Sequence, residues 1–143
     1  MKDLFSLKGK VIVITGGAGY LGSAMVEGML DVGATVVVAE INDIKPEEVI
    51  HNDRVYKHLH CIKCDVSCTE SIMEMFRKTR LLFGKIDVLI NCATYGVGYG
   101  AEGTIEKMTD EDWTKGIDGA AGVSFRCIRE VIPFFEEMEQ VIL

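Results

Sequence analysis

Three glycines spaced Gly17-x-Gly19-x-x-Gly22 and an acid, Glu40, 18 residues further on are the side chains with the clearest chemistry in this chain. The triplet stands between an apolar run, Val11–Ile14, and an amphipathic stretch that ends near Gly33. In such a setting the glycines make a tight turn, let backbone approach a pyrophosphate, and allow a helix to pack closely on a strand. The following helix aims its unpaired N–H groups and the positive end of its dipole at that phosphate. Glu40 closes a second apolar run, where its carboxylate can accept hydrogen bonds from both hydroxyls of a ribose and would repel a 2′-phosphate. The pattern therefore points to NAD in preference to NADP; the alternative for Glu40 is a solvated charge at a strand end.

A second cluster invites a metal. The stretch HLHCIKCDVSC, His58 to Cys68, holds two histidines and three cysteines. Cys61 and Cys64 are three apart on a predicted strand, however, and so face opposite sides of it. A zinc knuckle needs a turn between its cysteines and usually a second pair of ligands. Cys92 and Cys127 are remote from each other, and buried small thiols account better for all five cysteines. No metal is expected.

The elements that must position these groups alternate. Lys10–Thr15, Thr35–Glu40, Val55–Cys64 and Ile86–Cys92 read as strands, three of them continuously apolar, as strands of a covered parallel sheet are. Leu21–Val32 reads as a helix stopped by Gly33. Cys68–Phe83 reads as a helix opened by a capping box, Ser67-x-x-Glu70, and stopped by Gly84. Its buried stripe is Ile72, Phe76, Thr79 and Phe83. Pro46 suits the first turn of a short helix. A long helix from about Asp110 to Glu137 is expected to carry Trp113, Ile117, Ala121, Ile128 and Phe135 near one face, and the glycines of GIDGAAG (Gly116–Gly122) to serve close packing. Alternating β and α with short connections predicts an α/β, doubly wound parallel sheet of Rossmann type, with four strands in the order 3-2-1-4.

Size and charge bound the rest. A single domain of 143 residues buries roughly 70% of its unfolded surface. The net charge of −7 argues against nucleic acid and anionic membranes as partners. Every apolar run is interrupted well before the ~18 residues that span a bilayer. With five cysteines and no signal-like leader at Met1, a cytoplasmic location is expected.

The segments TGGAGYLG (Thr15–Gly22), CDVS (Cys64–Ser67) and IDVLINCAT (Ile86–Thr94), in that order, resemble the short-chain dehydrogenases/reductases. The resemblance extends over essentially the whole chain. It implies that Gly16, Tyr20 and Leu21 line the pyrophosphate beside Gly17, Gly19 and Gly22, and that Glu40 and Ile41 flank the adenosine ribose. It further implies that Asp65 and Val66 meet the adenine, and that Asn91 and Ala93 stand beside the second ribose. A helix-capping or turn role is the alternative for Asp65.

Several positions depart from the family. Tyr20 stands where glycine is usual in single-domain members, so that Gly16-x-x-Gly19-x-x-Gly22 matches the spacing of the extended branch, which includes sugar epimerases. Thr94 replaces the glycine of the family's Asn-Asn-Ala-Gly motif, and Ala120 falls where a catalytic asparagine is usual. The family's reaction needs a tyrosine with a lysine four residues later. Residues four beyond Tyr20, Tyr56, Tyr95 and Tyr99 are Ala24, His60, Tyr99 and Gly103. The chain is thus expected to be a piece truncated before the fifth strand, with no catalytic residues of its own.

Three functions follow as expectations. The first is the cofactor-binding part of an NAD-dependent oxidoreductase that acts, in the full-length parent, on a small-molecule alcohol or ketone. The second is a non-catalytic nucleotide-binding or interaction module. The third is a fragment of an extended-type nucleotide-sugar epimerase. A fourth strand left as an apolar edge would also favour homo-oligomers, pairing near Val88–Asn91 or through the last helix.

Overall fold

The computed structural model of the chain describes residues 4–50, 57–96 and 104–139, with side chains through residue 135. The strands are β1 (Val11–Thr15), β2 (Thr35–Glu40), β3 (Leu59–Lys63) and β4 (Val88–Asn91). The helices are α1 (Tyr20–Asp31), α2 (Pro46–Val49), α3 (Thr69–Phe83), α4 (Asp110–Ile117) and α5 (Val123–Glu139). All strands are parallel, and their order is β3-β2-β1-β4, as the alternating pattern predicted. The expected start of the third strand, 55–56, lies outside the described residues, as do Tyr56 and Tyr99.

Because successive strand residues point to opposite faces, the continuous apolar runs feed two cores. Val13, Val37, Ala39 and Leu89 face α3 and α5, where they meet Ile72, Met75, Phe76, Val123 and Cys127. Ile12, Ile14, Val36, Val38, Val88 and Ile90 face α1 and α2, where Val26 and Val49 cover them. Cys61 belongs to the second core and Cys64 to the first, so the two thiols do stand on opposite faces. Helix α3 buries Ile72, Phe76 and Thr79 as its periodicity predicts, with Met75 added and Phe83 partly covered. Gly33 and Gly84 take left-handed φ values of 94° and 80° just past α1 and α3.

Two expectations need correction. Ser67 does not cap α3; Cys68 is the N-cap residue, its side chain bonding no backbone N–H of the helix and donating instead to Glu70 Oε2 at 3.4 Å. Ser67 instead donates its N–H and O–H to Asp65 Oδ1, at 2.9 and 2.6 Å. As a cap the Ser67 hydroxyl would accept an N–H of the first turn; it donates instead to the carboxylate two residues upstream, a charge-assisted bond.

The long helix also turns differently. It is interrupted by a wide turn at Asp118–Gly122, where the Val123 N–H reaches back to Asp118 O. Its inward residues are Gly119, Val123, Cys127 and Val131, while Trp113, Ile117, Ala121 and Ile128 are exposed and only Phe135 packs on the core. The cause is close approach. A Cβ on Gly119 would lie 1.5 Å from the carbonyl oxygen of Tyr95, so small residues must face inward and the large ones are turned out. The expectation that GIDGAAG serves packing is met at this glycine.

At the opposite end of the sheet from the glycine turn, Asp87 joins β1 to the start of β4. Its side chain is 4% exposed; it accepts the Val11 N–H at 2.8 Å and pairs with Lys85 Nζ at 2.9 Å and Lys10 Nζ at 3.2 Å. Burial opposes its ionisation, but the Val11 N–H and the two ammonium groups outweigh burial and hold the carboxyl below its ordinary value. A depressed folded-state value stabilises the fold above the unfolded carboxyl's titration, near pH 4, and the contribution is lost as pH falls through the folded value. Asp87→Asn is therefore expected to lower unfolding free energy by about 1–3 kcal/mol at pH 7. In urea denaturation the gap from wild type should narrow at about pH 3; an equal gap at both pH values would contradict this.

Candidate nucleotide-binding cleft

The carboxyl ends of the four strands open onto a cleft of about 660 Å³, within the range of small-molecule sites. Its floor is the turn from β1 into α1. Gly16 has φ +68° and gives its N–H to Ala39 O at 2.9 Å; a Cβ there would lie 2.7 Å from the Ala93 backbone. The Gly16 carbonyl accepts the Gly19 N–H at 3.1 Å and faces Gly22, where a Cβ would sit only 2.3 Å away. Gly17 is pressed against Val38. Packing alone thus demands glycine at 16, 17 and 22.

Gly19 differs. It is the N-cap residue of α1 in extended conformation, and a Cβ there would meet only Gly16 O, at 3.3 Å. It lines the cleft. That single contact is tight but far looser than those at 16, 17 and 22, and a side chain at 19 would fill space at the mouth of the helix N-terminus.

One wall is the end of β2. Glu40 Oε1 accepts the Ala18 N–H at 2.9 Å, so this carboxylate tethers the glycine turn as well as facing the cleft beside Ile41. Next comes the turn after β3. Asp65 takes its N–H to Ser71 Oγ at 2.9 Å, and its Oδ1 accepts the two Ser67 bonds. Those Ser67 bonds keep the Asp65 carboxyl below its ordinary value. The turn role for Asp65 is therefore real, and the residue lines the cleft with Val66 as well.

The far wall follows β4. Thr15, fully buried, accepts the Cys92 N–H on its carbonyl at 3.1 Å and the Ala93 N–H on Oγ1 at 3.3 Å, fixing the chain as it leaves the strand. Cys92, Ala93, Thr94 and Tyr95 then line the cleft. Behind Tyr95, the Arg126 guanidinium holds the Asp118 carboxyl below its ordinary value, while the bond to Asp118 pushes the Tyr95 phenol up.

Of the residues read from sequence, Gly16, Gly19, Glu40, Ile41, Asp65, Val66 and Ala93 come together in this cleft. Gly17 and Gly22 lie beneath its floor. Tyr20, 99% exposed, and Leu21 border a separate groove with Val49 and Ile50 on the outer side of α1. Asn91 ends β4 outside the cleft lining, and its Oδ1 is buried without a hydrogen-bond partner in the structure.

Sequence reasoning overlooked Ala18, Ala39, Cys64, Ser67, Cys92 and Tyr95 as lining residues. Their signal was adjacency to the residues that were named. Among the described residues the charged lining groups are Glu40 and Asp65, with no lysine or arginine. Burial pushes the Cys64 thiol up to about 11 and raises that of Cys92, so both line the cleft as neutral groups. Among the described residues no helix is long and apolar enough to cross a membrane.

Comparison with known proteins agrees with this architecture. The chain is 30% identical over 128 residues to a 3beta-hydroxysteroid dehydrogenase of Mediterraneibacter gnavus, covering 89% of this chain and 45% of that protein. It is 30% identical over 146 residues to an NADP-dependent mannitol dehydrogenase of Alternaria alternata, covering 96% of this chain and 52% of the relative. The crystal structure of a short chain dehydrogenase from Mycobacterium smegmatis superposes with a TM-score of 0.76 at 29% identity, covering 90% of this chain and 53% of that one. The chain spans about half the length of the curated relatives it matches. The family model described as short chain dehydrogenase matches residues 10–141, and with the glycine turn, the parallel sheet and the strand-end cleft already in place, the chain belongs to the short-chain dehydrogenase/reductase family of oxidoreductases.

Proposed function

We propose that the cleft binds the adenosine and pyrophosphate half of NAD, and that this chain is the cofactor-binding part of an NAD-dependent oxidoreductase acting on a small-molecule alcohol or ketone. The observation that carries this is the convergence of Gly16, Gly19, Glu40 and Asp65 on one cleft at the N-terminus of α1; of the turn glycines, Gly19 is the one that packing constrains least, a Cβ there meeting a single carbonyl at 3.3 Å. The pyrophosphate would rest there on the N-terminus of α1, with Gly16 and the Ala18–Gly19 backbone beneath it. Tyr20 and Leu21 would contribute backbone only, since Tyr20 is fully exposed and Leu21 largely so. Glu40 and Ile41 would hold the adenosine ribose, Asp65 and Val66 the adenine, and Ala93 the second ribose, with Asn91 behind it at the end of β4.

When bound, the nicotinamide would supply a hydride acceptor or donor; this chain's residues orient it. A proton at the substrate oxygen must come from an acid/base group. The chain as given holds no Tyr-x-x-x-Lys pair, so in the whole protein that pair would come from other residues. A second reading, a nucleotide-binding module without catalysis, draws on Ala120, which has no group to bond a relay water, and on Thr94 at the cleft wall. Turnover by the full reading frame separates the two.

The choice of NAD rests on charge. A 2′-phosphate beside Glu40 would meet a carboxylate and no lysine or arginine among the described lining residues. The NADP-dependent relative makes this choice a property of the individual chain. Self-association belongs to the same proposal: among the described residues β4 pairs with β1 alone in the sheet, and Trp113, Ile117, Phe125, Ile128 and Ile132 are exposed on α4 and α5. Sedimentation at high concentration should show dimers or larger species, and a clean monomer would contradict it.

Two substitutions test the binding site. Gly19→Ala should leave stability within about 1 kcal/mol of wild type yet weaken NAD by about tenfold or more in calorimetric titration. Gly22→Ala should instead destabilise the fold by about 1–3 kcal/mol through its clash with Gly16 O. Equal NAD affinity for Gly19→Ala and wild type would contradict this placement of the pyrophosphate. Glu40→Gln keeps an oxygen for the Ala18 N–H and removes the charge; NADP affinity should rise several-fold relative to NAD, and an unchanged ratio would count against NAD preference.

A further inference from the structure

Arg126, on α5, bonds directly to both the turn after β3 and the segment after β4. Its Nε donates to Val66 O at 3.3 Å, its Nη1 to Asp118 Oδ1 at 2.9 Å, and its Nη2 to Tyr95 Oη at 2.9 Å and Asp118 Oδ2 at 3.2 Å. The Tyr95 hydroxyl in turn donates to Asp118 Oδ2. Val66 follows β3 and Tyr95 follows β4, the two outer strands, so one guanidinium ties the two ends of the cleft together. Its side chain is only 16% exposed.

Local sequence is arranged to permit this. A Cβ on Gly122 would lie 2.2 Å from Asp118 Oδ1, so glycine there gives the carboxylate its place against Arg126. The wide turn at Asp118–Gly122 carries the acid toward the cleft, and the Tyr95 N–H donates to Gly119 O at 3.0 Å, locking the β4 side to the same turn. Guanidinium geometry is essential, because a planar fork can reach three partners in different directions while an ammonium acts as a point charge.

We propose that Arg126 is a positioning residue that couples the turn after β3 to the segment after β4, fixes the separation of the cleft's ends, and thereby sets nucleotide affinity; the affinity part rests on the cleft being the dinucleotide site. The coupling is a property of the nucleotide-free protein. Attraction of a phosphate by positive charge is a different role, and lysine would retain it.

The test uses the full chain and the variants Arg126→Lys, Arg126→Met and Tyr95→Phe, followed by amide hydrogen exchange without ligand and by NADH titration. Exchange at residues 65–68 and 94–96 should rise together in Arg126→Lys and Arg126→Met, by about tenfold, with β1 and β2 unchanged. NADH affinity should fall by about tenfold in both, lysine failing to rescue. Should Arg126→Met not fold, Tyr95→Phe decides: loss of one hydroxyl should loosen residues 65–68 across the cleft. Exchange that rises in one segment alone, or affinity restored by lysine, overturns the proposal. Wild-type protein that binds no NADH overturns the cofactor assignment and the affinity part with it, while the exchange pattern still decides the coupling.

Discussion

Four elements meet at Gly16 with no space to spare. Its N–H is held by β2 through Ala39, its α-carbon faces the chain leaving β4 at Ala93, and its carbonyl lies against the first turn of α1 at Gly22. A side chain at 16 or 22 would push one of these elements away. Because β1, β2, β4 and α1 are pinned at one residue, the strand ends and the helix N-terminus converge on one cleft. The wall residues are secondary to that junction: Glu40 reaches the turn through Ala18, and Thr15 holds the exit of β4.

From this constraint the distribution of polar groups makes sense. At the end of the sheet away from the cleft, Asp87 satisfies a backbone N–H and two ammonium groups and serves stability. At the cleft end, Asp65 and Glu40 each use one oxygen to shape a turn while still lining open space. Carboxylates that both build a wall and face a cleft are suited to bind hydroxyl and amino groups, and unsuited to accept an additional phosphate. The exposed apolar residues of α4 and α5 belong to neither end. They result from the close approach of Gly119 to Tyr95, which turns small residues inward.

The fold was legible wherever the signal was local. Continuous apolar strands, glycine stops after Val32 and Phe83, and the triplet at Gly17–Gly22 each carry their meaning within a few residues, and strand order followed from the crossover rule. Along the stretch from α4 through α5 the direction that the apolar residues face was not legible, because hydrophobicity ranks Trp113 and Ile128 above Gly119 and Cys127, whereas the interface selects for smallness. Ser67 was misread because a capping box and an Asx turn share the same residue types, and only geometry shows whether the hydroxyl accepts a helix N–H or donates to the carboxylate. Arg126 carried no sequence signal at all: its Val66 partner is 60 residues away, and its role exists only once β3 and β4 stand at the two edges of one sheet.

The most direct measurement of the central claim is an amide chemical-shift titration of the isotopically labelled chain with NAD and, separately, NADP. The account predicts saturable shifts with NAD, concentrated at Gly16–Gly22, Glu40–Ile41, Asp65–Ser67 and Cys92–Tyr95, and much weaker ones with NADP. No saturable change with NAD at millimolar concentration, or changes centred on the exposed face of α4 and α5, would contradict it.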